Sequence, residues 1–243
     1  MRSTIRWSAV LVILLFIAPV LAHGAVWIAA DRPSSWRDAD WSSAGILPSP
    51  RAEPEASIRI LAARTGGLKG AVAVHTWLVL KHAGADGYDR YEVTAWGLPV
   101  RRNRNAPDGR WYSNEPEIIY ALRGAEAAAL LPKVEAAIAA YPWSRPGTYR
   151  VWPGPNSNTF VASVIAAVPE LGAELPPTAI GRDYRTGFFP TPSGGWAVSL
   201  GGLAGVAFGI RDGLQISLLG LVAGVRFTAP ALILPGFGAI GAG

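Results

Sequence analysis

The stretch GAVAVHTWLVLKH, residues 70–82, decides the fold. Rich in Val and Leu, and followed by the turn-forming GADGYD at 84–89, it reads as a strand. Alternation puts Val72, Val74, Thr76, Leu78 and Leu80 on one face and Ala73, His75, Trp77 and Val79 on the other. His75 therefore sits mid-strand between apolar neighbours, where a histidine is either a satisfied, half-buried polar residue or a base.

Strands lie on both sides of it. ASIRILAAR, residues 56–64, alternates, and RYEVTAWG, 90–97, follows GADGYD as the second arm of an antiparallel hairpin. The basic cluster Arg101 to Arg104 reads as a solvated loop. RGAEAAALLPKVEAAIAAY, 123–141, is helical in composition, with Pro132 expected to kink it or split it in two. The order strand, strand, strand, helix, helix predicts an α+β fold, an antiparallel sheet packed against two or three helices, over residues 58–192.

The second helix begins at a turn. WPGPNSNTF, 152–160, packs prolines, a glycine, a serine and two asparagines ahead of FVASVIAAV, 160–168. Asn156, Ser157 or Asn158 is the candidate N-cap, and Phe160, Val161, Val164, Ile165 and Val168 form the buried stripe. Free backbone N–H groups and the positive end of the helix dipole favour a nucleophile or an anion there, so the turn is either a cap or an active site.

Both ends of the chain are apolar. Arg2 and Arg6 precede an uncharged stretch from Trp7 to Ala30, longer than the roughly 20 residues that cross a bilayer. Residues 1–30 are therefore expected to be a membrane anchor with a cytoplasmic N-terminus, single-pass in the inner membrane of a bacterial envelope, with the core domain periplasmic. A cleaved signal segment, with Ala22, Gly24 and Ala25 as small processing residues, is the alternative. Residues 31–57 are rich in Pro, Ser and small residues without a period and read as a linker, whose Trp36 and Trp41 suit docking on headgroups or on the domain. In the tail, 193–243, VSLGGLAGVAF (198–208) is echoed by ISLLGLVAGVRF (216–227), with Arg211, Asp212 and Gly213 between as a turn. Two antiparallel strands forming a glycine-rich hairpin packed on the core are expected, a membrane-docked hairpin being the alternative.

Composition narrows the function classes. The 243 residues carry a net charge of +5, but the basic residues are scattered without the stripe or motif of a nucleic-acid binder, and no nucleic-acid partner is expected. With no cysteine, disulfides, thiolate metal sites and cysteine nucleophiles are excluded. Only His23, His75 and His82 are available, with no carboxylates at a metal-motif spacing, so neither a metal nor a cofactor is expected. Charged residues make up 16 %, below the roughly 25 % of soluble domains, which places part of the chain in lipid or in a sheet covered on both faces.

If His75 meets the 156–160 turn in space, the pair has the make-up of base-assisted nucleophilic catalysis, with Ser157 as nucleophile. Glu92, on the next strand, is the candidate for orienting His75, and Thr94 on the same face is a weaker one. Asn156, Asn158 and Thr159 are candidate hydrogen-bonding groups for a ligand, with Trp77, Trp96 and Trp152 as walls.

In that chain order, HTWLVL from His75 and NSNTF at 156–160 resemble the circularly permuted papain-like group, which includes lecithin retinol acyltransferase and bacterial cell-wall amidase relatives. Its members place histidine first on a strand and cysteine later at a helix start, and Ser157 stands at the cysteine position. The resemblance implies amide or ester hydrolysis or acyl transfer. Serine does not ionise as a thiol does, so it would need concerted proton removal and an oxyanion site of backbone N–H groups. At closer range DRPSSWRDADWSSAG, HTWLVLK, YEVTAWG and VWPGPNSNTFV together resemble the bacterial family catalogued as domain of unknown function 3750, which brings no activity with it. The alternative is a catalytically inactive module that holds a lipid, glycan or peptide at the membrane surface. The substrate and the oligomeric state are not written in the sequence.

Overall fold

The computed structural model describes residues 2–241, with side chains from Arg6 onward, so the side chain of Arg2, one of the two charges that orient the anchor, lies outside the described residues. The protein is α+β, with two antiparallel sheets and an N-terminal apolar helix. That helix comprises α1 (Arg2–Val12), a π-turn over Ile13–Ile17 and α2 (Ala18–Ala29). Pro19 cannot donate to the carbonyl one turn back, and the ladder adjusts there, with the Ala18 N–H bonding Ile13 O. Residues Arg6–Ala29 are long and apolar enough to cross a membrane.

The first sheet joins β1 (Ser57–Arg64), β2 (Val74–Lys81), β3 (Asp89–Val93), β4 (Val100–Arg102) and β5 (Glu117–Arg123) in the order β4-β3-β2-β1-β5. Every residue of β2 is buried, because the sheet is covered on both faces. On one face α3 (Gly124–Ala139) and α4 (Ser157–Ala167) pack Leu131, Val134, Phe160 and Val164 against Ile58, Ile60, Leu78 and Leu80. Pro132 does not split α3. It lies on the exposed side, where the carbonyl of Ala128, deprived of its donor, can be hydrated. On the other face Trp77 and Val79 pack with Trp111 of the 103–116 loop and with Trp41 and Leu47 of the N-terminal linker. The linker is fastened there by Asp108, which accepts from Ser43 Oγ (2.6 Å) and the Ile46 N–H (2.9 Å).

The tail departs from the expected hairpin. It forms a seven-stranded meander of β6 (Thr186–Pro190), β7 (Trp196–Leu200), β8 (Ala204–Gly209), β9 (Gly213–Leu218), β10 (Leu221–Arg226), β11 (Ala231–Leu234) and β12 (Gly238–Gly241). Each copy of the repeat is itself a hairpin and not a single strand. The second copy turns at Leu219 (φ +54°) and Gly220 (φ +80°), two consecutive left-handed residues as a tight two-residue turn demands, and the first turns through three residues, Gly201 (φ +64°), Gly202 (φ +76°) and Leu203.

Candidate functional site

Two elements meet at one end of the first sheet. Asn156 is the N-cap of α4: its Oδ1 accepts from the N–H groups of Asn158 (3.0 Å) and Thr159 (3.1 Å), and its own N–H bonds Thr159 Oγ1 (3.2 Å). Its Nδ2 ties the turn to Val151 O (3.1 Å) and Ile180 O (3.0 Å). Asn158 reaches the sheet, donating to Val74 O (2.9 Å) and Ile180 O (2.8 Å) and accepting from Thr76 Oγ1 (2.9 Å). Thr159 Oγ1 donates to Gly181 O (2.8 Å). Gly181 (φ +97°) lies so close to the Asn156 amide that a Cβ there would overlap it. These bonds clamp α4 onto the start of β2.

Ser157 occupies the first helical position, so the capping role falls to its neighbour. Among the described residues neither its N–H nor its Oγ has a hydrogen-bond partner. Its side chain lines a cavity of about 300 Å³ together with His75, Thr94, Trp96, Trp111 and Trp152.

His75 enters that cavity from the other face of β2 through a relay. Its Nε2 is 2.9 Å from Glu92 Oε2. The same oxygen accepts from Arg90 Nη2 (2.8 Å), and Glu92 Oε1 accepts from Asn105 Nδ2 (2.7 Å). The imidazole lies flat on Trp111, ring centres 3.7 Å apart and planes within 8°. Arg90, fully buried, sits 4.1 Å above the Trp77 ring and donates to Ala106 O (2.8 Å). Burial works to raise the Glu92 carboxyl, but the hydrogen bond from His75 and the charge of Arg90 prevail and hold it at about 2. Burial lowers His75 below the ordinary histidine value, against the pull of the Glu92 bond. An ionised Glu92 already balanced by Arg90 fits a neutral imidazole whose Nε2–H donates, leaving the Nδ1 lone pair open.

The sequence candidates thus divide. His75, Glu92 and Ser157 fall at or beside one cavity, although no hydrogen bond joins His75 to Ser157 among the described residues. Thr94 Oγ1 turns to Trp96 O (3.2 Å) and does not orient His75. Trp152 and Trp96 are half-exposed walls, whereas Trp77 is fully buried and lies outside the cavity lining, its Nε1 bonded to Pro107 O (2.8 Å). Asn156, Asn158 and Thr159 direct their polar atoms into the clamp; Asn156 and Asn158 still border the cavity, whereas Thr159 lies outside its lining. Arg90, Asn105, Trp111 and Tyr149 were not among the candidates; Trp111 and Tyr149 line the cavity, and burial pushes Tyr149 up to about 12. Trp152 Nε1 also donates to Leu219 O (2.9 Å), which links the cavity wall to the β9–β10 turn of the second sheet.

These features define an α+β protein with an N-terminal helix able to cross a membrane and a buried Arg–Glu–His relay beside a serine at a helix start. The chain belongs to the family described as "Protein of unknown function (DUF3750)", whose model matches residues 55–184, from the start of the first sheet through the 156–160 turn and the clamp at Gly181. Neither the curated proteins nor the solved structures include a match to the chain.

Proposed function

We propose that the protein is a membrane-anchored serine acyl hydrolase or acyltransferase of the bacterial cell envelope, with a permuted papain-like core over residues 58–192. The observation that carries this is the relay: an ionised Glu92 holding a neutral His75 by Nε2, so that Nδ1 is the nitrogen left to take a proton, in a cavity that Ser157 also lines. In the reaction His75 Nδ1 removes the proton of Ser157 Oγ as it bonds to the substrate's carbonyl carbon. The Ser157 N–H, the first free donor of α4, stabilises the resulting oxyanion. His75 then returns the proton to the leaving amine or alkoxide, and water or an acceptor hydroxyl repeats the sequence to release the acyl group. Arg90 and Asn105 are positioning residues, since they fix Glu92 and do not touch the reacting atoms.

The helix Arg6–Ala29 supports a single pass through the inner membrane, with the cavity on the periplasmic side. Half-exposed Trp96 and Trp152 and the exposed Lys69 around the cavity support a second reading, a binding cleft for an amphipathic ligand with an acidic group.

Hydrolysis of a short-chain p-nitrophenyl ester by the detergent-solubilised full chain separates the two. Turnover that Ser157→Ala abolishes, and that His75→Ala slows by about 10² to 10⁴-fold, supports the enzyme. Absence of turnover, or turnover indifferent to Ser157→Ala, leaves the binding cleft.

A further inference from the structure

The second sheet is inside out. By strand register Trp196, Phe208, Leu214, Val225, Leu232 and Ile240 stand side by side on its outer face, one from each strand β7 to β12. A second row, Phe188, Val198, Val206, Ile216 and Ala223, runs parallel to it. All but Ala223 are exposed. The inner face instead carries the polar Ser199, Gln215 and Ser217 beside buried Ala197, Val222 and Ile233, and with Asp212 and Arg182 it bounds a cavity of about 400 Å³. No charged side chain belongs to either outer row. A half-solvated antiparallel sheet has the opposite arrangement, apolar inward and polar outward. Seven strands at about 4.8 Å make this face about 29 Å wide, and exposed apolar surface of that extent on a soluble monomer marks an interaction site.

The N-terminal helix says what covers it. Ala223, on the outer face, is 2 % exposed because the Ile13–Ile17 turn packs against β10. Phe16 is buried, His23 meets Phe237 edge-on at 4.9 Å, and Trp27 Nε1 donates to Gly67 O (3.0 Å). The middle of the apolar span, about 21 Å along the helix from Ala29, therefore lies on the sheet's outer face. Hydrocarbon is about 30 Å thick, so a bilayer crossed by the helix takes in the sheet face beside it.

We infer that the outer face of β6–β12 docks in the hydrocarbon of the same bilayer leaflet that receives the C-terminal half of the helix, so that the protein is held by a helix and a sheet together. This rests on the reading of Arg6–Ala29 as a membrane span. Backbone hydrogen bonds of β7 to β11 are satisfied by strands on both sides, which allows a face to meet lipid where an open edge would not. The inner face and its cavity would then lie directly above the lipid, linked to the His75 cavity through Trp152 and the β9–β10 turn.

The chain has no cysteine, so single nitroxide labels can be placed without background. Full-length protein in lipid nanodiscs, labelled at Val206→Cys, Phe208→Cys or Ile216→Cys, is compared with Leu14→Cys in the span and Asp86→Cys in the β2–β3 loop. Accessibility to oxygen and to a water-soluble nickel chelate is read by EPR. The expected oxygen-to-nickel ratio at the sheet positions matches Leu14 and exceeds Asp86 several-fold. Sheet labels that read like Asp86 while Leu14 reads lipid overturn the inference and leave the span intact. If Leu14 also reads water, the span itself fails and the inference with it. Shielding of the sheet labels from both reagents, with spin–spin broadening, assigns the face to a second copy of the chain and likewise overturns it.

Discussion

The two sheets handle charge in opposite ways. The first hides charged and polar groups, Arg59, Arg90, Glu92 and His75, between its strands and a cover of tryptophans and linker. The second keeps polar groups on its inner face and turns aromatic and aliphatic side chains outward. Both are antiparallel and both are built from alternating residues. Alternation reveals that a strand has two faces; which face meets protein is settled by what packs on it. In the first sheet α3, α4 and the linker occupy both sides, so buried ions must be paired there. In the second, among the described residues, the N-terminal helix is the element that packs on the apolar side.

The sharpest way to break this contrast is to remove one charge from the first sheet. Glu92→Ala leaves Arg90 buried without its carboxylate and His75 without its partner, and it should cost about 3–5 kcal/mol of unfolding free energy in denaturant titration. Val206→Ser, on the outer face of the second sheet, should move the same midpoint by about 0.5 kcal/mol or less in detergent, since it vacates no packed site. Comparable losses at the two positions would dissolve the contrast.

Between these lies the clamp that joins α4 to the first sheet. Asn156→Ala removes the cap and two loop tethers and should cost about 1–2 kcal/mol, measured as loss of helical signal on heating. The smallest effect concerns pH. His75 binds a proton less readily folded than unfolded, so the unfolded chain takes up the extra proton as pH falls below the ordinary histidine value of 6.5. Stability should therefore be highest above that value and decline on acidification towards the lowered folded value. His75→Gln should flatten the decline. A gain in stability on acidification would mean that Glu92 holds a charged imidazole.

Much of the first sheet was legible in the sequence because β1, β2, α3 and α4 are long and strongly patterned. The proximity of His75 and Glu92 follows from the adjacency of β2 and β3. Arg90, Asn105 and Trp111 were not foreseen because two of them come from a 103–116 loop without a period, and Arg90 reads as a surface charge until its strand is known to be covered. A signal did exist: an R-x-E pair on one face of a strand beside a histidine strand already suggests a buried relay. In the tail the repeat was legible but its unit was not, since the central glycines of each copy serve equally as bends in one strand or as a turn between two. The positive φ angles decide for the turn. The outward direction of the apolar rows could not be read locally, because it depends on where the helix 200 residues earlier comes to lie.

The proposed reaction requires a neutral His75 to act as the base for Ser157 across the cavity that both line. Reacting the solubilised full chain with a fluorophosphonate probe and locating the adduct by peptide mass spectrometry tests it most directly. The account predicts a single adduct on the peptide containing Ser157, absent in His75→Ala and in Ser157→Ala. An adduct on a different serine, or one on Ser157 that persists without His75, would contradict it.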